Sequence, residues 1–150
     1  MIGRMLSAAL LAASISVPAM AGEMIKFTSP YPVSETIDRL AAAVEGAGAK
    51  VFARIDHAKG AASVDLDLRP TELLLFGNPK LGTPVMQASQ SAGMDLPLRA
   101  VAYEQEDGTV ILAFRDPAYL SDDHGVPADA PVLQKMRGAI GKLGGKATGE

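Results

Sequence analysis

The apolar run Leu73-Leu74-Leu75-Phe76 is cut off by Gly77-Asn78-Pro79, and Thr83-Pro84 follows after a short gap. Few arrangements satisfy both halves of that stretch. Four consecutive apolar residues predict a strand over Glu72–Phe76 that is buried on both faces, as interior strands are. Thr83 suits an N-cap and Pro84 the first helical position, so a helix containing Val85, Met86, Ala88, Ser89 and Ala92 is expected, ending at Gly93. The strand then delivers the chain into a polar loop that faces a helix N-terminus.

The rest of the chain supplies layers around that junction. Met24–Thr28 reads as an edge strand ended by Pro30 and Pro32. Ser34 is a candidate cap for a helix whose apolar residues Val33, Ile37, Leu40, Ala41 and Val44 recur at helical spacing, with Gly46 and Gly48 ending it. Val51, Ala53 and Ile55 alternate with Phe52 and Arg54 as in a strand, and Ala58–Asp65 is alanine-rich but interrupted by Gly60. Leu98–Gln105 and Thr109–Arg115 form two strands joined at Asp107-Gly108, a hairpin turn signal. Val132, Leu133, Met136, Ile140 and Leu143 mark a last helix starting at Asp129 or Ala130, with a disordered tail over 144–150. The order β-α-β-(α)-β-α-β-β-α predicts one two-layer α/β (α+β) sandwich, with a mixed sheet of about five strands and three main helices.

The first 21 residues read as a signal peptide: Arg4, an apolar core from Met5 to Val17, a break at Pro18, and the small-x-small site Ala19-Met20-Ala21. Cleavage after Ala21 leaves a single domain over 22–150, periplasmic or secreted; the alternative is an uncleaved N-terminal anchor. Without Arg4 the 14 basic side chains become 13 against 17 acidic ones, which gives no nucleic-acid footprint. The chain has no cysteine, so disulfides, thiolate metal sites and cysteine nucleophiles are excluded. No cofactor is expected, nor stable membrane insertion once the leader is removed.

Four landmarks occur in order: Ile55-Asp56-His57-Ala58, then Phe76-Gly77-Asn78-Pro79-Lys80-x-Gly82-Thr83-Pro84-x-Met86, then Asp95-Leu96-Pro97-Leu98-Arg99, then Asp116-Pro117-x-Tyr119-Leu120 with His124 behind it. In this order they resemble the bacterial and archaeal domain of unknown function 302 family, over essentially the whole mature chain. The resemblance implies a small two-layer α/β domain that can pair as a dimer, and no established activity.

Gly77-x-x-x-x-Gly82-Thr83 imitates a phosphate loop, yet Thr83 stands where its lysine belongs and Pro84 where its hydroxyl belongs. Free amides at the helix start and the Lys80 ammonium suit weaker binding of carboxylate, phosphate or sulfate. A turn stiffened by Asn78, with Gly77 and Gly82 allowing tight geometry, is the structural alternative. His57 and His124 are the only histidines, each near an aspartate; His57 is the candidate base, and both are metal-ligand candidates. Arg99 could clamp a ligand carboxylate, and Asp116 stands at another strand end; an Arg–Asp lock between loops is the ordinary reading. Three readings stay open. One is a binding domain for a small anionic ligand or a partner protein, through Gly77, Asn78, Lys80, Gly82, Thr83, Arg99 and Asp116. Another is a hydrolase or lyase that depends on His57, metal-assisted or not. The third is a dimerising interaction domain.

Overall fold

The computed structural model describes residues 23–150, so the expected signal peptide lies outside the described residues. Five strands, β1 (Met24–Ser29), β2 (Lys50–Asp56), β3 (Thr71–Gly77), β4 (Leu98–Glu104) and β5 (Val110–Arg115), form one sheet in the order β1-β5-β4-β3-β2. The helices are α1 (Val33–Gly46), α2 (His57–Ala62), α3 (Pro79–Ala88), α4 (Tyr119–His124) and α5 (Pro131–Thr148), with a 3-10 turn at Gln90–Met94. The two-layer α/β sandwich is as expected.

The sheet is not mixed: every pairing among the described residues is antiparallel. The crossover through α1 carries the chain from one edge strand to the other, so β1 and β2 never meet as a parallel pair.

In α1, Val33, Thr36, Ile37, Leu40 and Val44 are buried at helical spacing, which sets its packing face. Pro32, not Ser34, occupies the cap, and Ser34 Oγ accepts from Arg54 Nη2 at 3.1 Å instead. Leu40, Val44, Leu74, Leu112, Phe114 and Ile140 join the two layers in a continuous core. The Phe114 ring meets Phe27 and Phe76 edge to face, with centroids 6.0 and 6.2 Å apart. Glu72 points into this layer, and its carboxylate accepts from Arg54 Nε at 2.6 Å.

Strand β3 is interior but not buried on both faces. Glu72, Leu74 and Phe76 are buried, while Leu73 and Leu75 stay half-exposed, because helices cover only one side of the sheet. Strand β2 also departs from simple alternation. A bulge between Val51 and Ala53 pairs Val51 with Phe76 but Ala53 with Leu75, so Ala53 and Ile55 fall on the opposite face from Val51.

The expected disordered tail is helical. Helix α5 continues to Thr148 with Leu143, Gly144, Ala147 and Thr148 buried. A β-carbon on Gly144 would overlap the Phe27 ring, so the small residues of this segment permit close approach to β1. Arg39 Nε donates to the Ala147 carbonyl at 2.9 Å and anchors the helix C-terminus, where a cation is favoured.

Candidate functional site

The junction after β3 is tighter than the sequence suggests. Helix α3 begins at Pro79, not after Thr83, because Asn78-Pro79 is itself an N-cap followed by a proline at the first helical position. Asn78 Oδ1 accepts from the Lys80 amide at 2.9 Å, and the Asn78 carbonyl accepts from the Leu81 and Gly82 amides, both at 2.9 Å. Gly82, Thr83 and Pro84 therefore lie inside the helix. The amides expected to cradle an anion at the loop are spent on the first helical turn, and Lys80 is exposed. Beyond α3, Ser89 is extended, so the expected continuous helix to Gly93 divides into α3 and the 3-10 turn.

What the junction builds instead is a cavity of about 320 Å³. Its walls are Phe52, Leu81, Met86, Leu96, Leu98 and Met136, and Asn78 and Thr83 bring polar groups to it. Gly77 and Gly82 complete the lining, and none of the lining residues is ionisable. Pro97, joined to Leu96 by a cis peptide, stands beside Gly77, with its Cβ 3.6 Å from the place a β-carbon there would take. Of the sequence candidates, Gly77, Asn78, Gly82 and Thr83 meet in this cavity; Lys80, Arg99, Asp116 and His57 do not line it. Sequence reasoning missed Phe52, Leu96, Leu98, Met86 and Met136. No sequence signal marks Phe52, whose orientation follows from the β2 bulge, and the others look like ordinary core residues.

The segment that supplies Leu96, Pro97 and Leu98 is held by an ionic cluster around Asp95. Asp95 Oδ2 lies 2.8 Å from His124 Nε2, and Oδ1 accepts from Arg99 Nη2 at 3.1 Å. Arg115 Nη1 lies 4.0 Å from Oδ1, and its Nη2 donates to Asp123 Oδ2 at 3.0 Å. Ser91 Oγ lies 3.0 Å from His124 Nδ1, completing a Ser–His–Asp chain of hydrogen bonds. The Asp95 carboxylate thus meets two guanidiniums and the His124 imidazole together. The cluster therefore acts as a lock that ties the 3-10 turn, β4, β5 and α4 behind the cavity wall. This is the loop-locking role the sequence allowed for Arg99, with Asp95 as its partner.

Asp116 forms a separate lock: Oδ1 accepts from the Ala118 amide at 3.0 Å, and Oδ2 pairs with Arg137 of α5. His57 opens α2 and is exposed, while Asp56 caps that helix through Oδ1 to the Lys59 amide at 2.9 Å. That bond holds the Asp56 carboxyl below its ordinary range. His57 and His124 sit in different clusters, and among the described residues no three His, Cys, Asp or Glu side chains are grouped to hold a metal.

Tyr119 is buried beneath the Arg115 guanidinium, which lies 3.9 Å from the ring centroid, and its hydroxyl donates to the Asp95 carbonyl at 3.1 Å. Burial first, and then the Asp95 carboxylate, push its pKa up. The folded value stands above the unfolded one near 10, so this residue's contribution to stability is complete below that pH and is lost as the pH climbs above it. An absorbance titration is expected to show a tyrosine ionising late, above about 10, and Tyr119→Phe to remove that step. A curve unchanged by the substitution would contradict the assignment.

A family model described as "Domain of unknown function DUF302" matches residues 25–143. Fluoride-specific ion channel FluC 1 of Brucella suis biovar 1 is 42% identical over 117 residues, covering 77% of this chain and 46% of that protein. Fluoride-specific ion channel FluC 2 of Brucella melitensis biotype 1 is likewise 42% identical over 117 residues, covering 77% of this chain and 43% of that protein. The chain thus spans less than half the length of these curated relatives. Among solved structures, an uncharacterized conserved protein DUF302 from Bacillus stearothermophilus superposes with a TM-score of 0.75 at 20% identity, covering 83% of this chain and 97% of that one. That likeness establishes the fold.

Proposed function

This chain belongs to the DUF302 family, and from that premise we propose that the cavity between β3 and α3 is a receptor for a small, predominantly apolar molecule. The observation that carries this reading is a cavity of about 320 Å³ walled by hydrocarbon, aromatic and thioether groups without an ionisable lining residue. A volume near 300 Å³ is at the lower end for ligand pockets and suits a single ring or a short acyl chain. Asn78 and Thr83 would orient one polar atom of the guest. An anion as the whole guest is disfavoured, because an ion buried without a partner loses hydration worth several kcal/mol.

The leader-like first 21 residues support placing this receptor outside the cytoplasm. The matched stretch in the Brucella proteins stands within longer chains named as fluoride-specific ion channels, which supports a domain that works beside a membrane partner. Fluoride would find only the Asn78 and Thr83 side chains and no cation in the lining to replace its hydration, so ion handling is not assigned to this cavity.

Methionine methyl resonances test the reading. Met86 and Met136 line the cavity, whereas Met24 and Met94 are 48% and 81% exposed and serve as internal controls. Titration with toluene or hexanol is expected to shift the first pair saturably and leave the second pair unmoved. Uniform or absent shifts would remove the receptor.

A further inference from the structure

The face of the sheet opposite α1 and α5 carries an apolar row. Ile55, Leu73, Val101 and Ala113 are cross-strand neighbours in sequence, and Tyr103 and Ile111 continue the patch. Ile55 is 42% exposed, and Leu73, Val101, Tyr103 and Ile111 are only partly covered. Between α2 and β3 the segment Val64-Asp65-Leu66-Asp67-Leu68 runs on the surface without a strand partner. Val64, Leu66 and Leu68 are 63%, 64% and 48% exposed. At the head of this arm Val64 and Asp65 close the C-terminal turn of α2, with Asp65 at φ 58° and the Leu66 amide donating to the Ala61 carbonyl at 3.0 Å, and large apolar patches on a lone chain mark an interaction surface.

Charge indicates what covers them. Among the described residues, the charged side chains that β1, β4 and β5 turn to the open face are Lys26, Arg99 and Arg115, all cations. The arm carries only acids, Asp65 and Asp67. Arg99 and Arg115 meet Asp95 and Asp123 within the chain, yet their side chains remain 49% and 46% exposed, so each has room for a second carboxylate. We propose that the open face binds a second copy of this chain, each arm lying against the Lys26–Arg99–Arg115 side of its partner. A two-fold axis running diagonally across the face does this. It carries the β2–β3 corner, where the arm emerges, over the β1–β5 corner, where the cations sit. The strands of the two copies then cross at roughly 90°, a recognised mode of sheet packing.

Sedimentation of the protein is expected to give twice the chain mass at micromolar concentration. Leu66→Glu and Lys26→Glu change exposed side chains that make no core contact, so each should leave the circular dichroism spectrum intact while weakening association at least tenfold. Lys26→Glu combined with Asp67→Lys should recover part of that loss. The absence of cysteine allows a direct check: a Leu66→Cys, Lys26→Cys double variant is expected to form an intermolecular disulfide on oxidation. A monomer at every concentration would overturn the proposal, and so would a dimer indifferent to both single substitutions. None of these readouts depends on the cavity, so failure here leaves the receptor reading standing.

Discussion

Phe114→Ala is expected to lower the free energy of unfolding by about 3–5 kcal/mol, measured by urea denaturation at an unchanged slope. Phe114 is 1% exposed and stands where three strands and the helical layer converge. Its ring supports Phe27 on β1 from one side and Phe76 on β3 from the other. Removing it leaves a void the size of a benzene ring between two aromatic edges, each worth about 0.5–1.5 kcal/mol beyond the area it buries. The loss extends to α5, because Phe27 occupies the space that Gly144 leaves open. Met94→Ala is the matched control: that side chain is 81% exposed, and the expected change is within about 0.5 kcal/mol. Equal effects at the two positions would mean that the aromatic trio does not hold the layers together.

Gly82→Leu is expected to abolish cavity binding while leaving the fold at least as stable. A β-carbon on Gly82 stands 3.8 Å from Leu96 Cδ1 and 4.0 Å from Met86 Cε, ordinary contact distances, so the first carbon fits without strain. The rest of a leucine side chain must then extend into the space the guest would use. In the middle of α3, replacing glycine with leucine also improves helix propensity by up to about 1 kcal/mol. The two effects have opposite signs for binding and for stability, which separates them experimentally. Affinity for toluene or hexanol should fall at least tenfold, equivalent to about 1.4 kcal/mol, with a thermal midpoint equal to or above the parent's. Unchanged affinity would show that the probe binds elsewhere.

Much of the site's address was legible in the residues and little of its chemistry. Gly77-Asn78-Pro79 marks the end of a strand whichever way the next residues are read. The choice between Asn78-Pro79 and Thr83-Pro84 as the helix start is harder, since both pairs carry the same cap-plus-proline signal. The first pair wins because Asn78 supplies both a side-chain and a main-chain acceptor to the opening turn. That choice removed the free amides on which anion binding depended. The edge strand β1, the Asp107-Gly108 hairpin and the amphipathic α1 were readable because each depends on local chemistry alone.

Sequence by itself therefore determined the elements, the two-layer class and the place where strand, turn and helix meet, since periodicity, caps and turn residues act over a few positions. Tertiary structure alone decided that the sheet is wholly antiparallel and that Phe52 turns toward the cavity. It also decided that Met136 of α5 comes to line the same space as Met86 of α3. These depend on which edge a crossover reaches and on one extra residue in a ladder. Both are settled by burying apolar surface between segments far apart in the chain, and no local pattern records that burial.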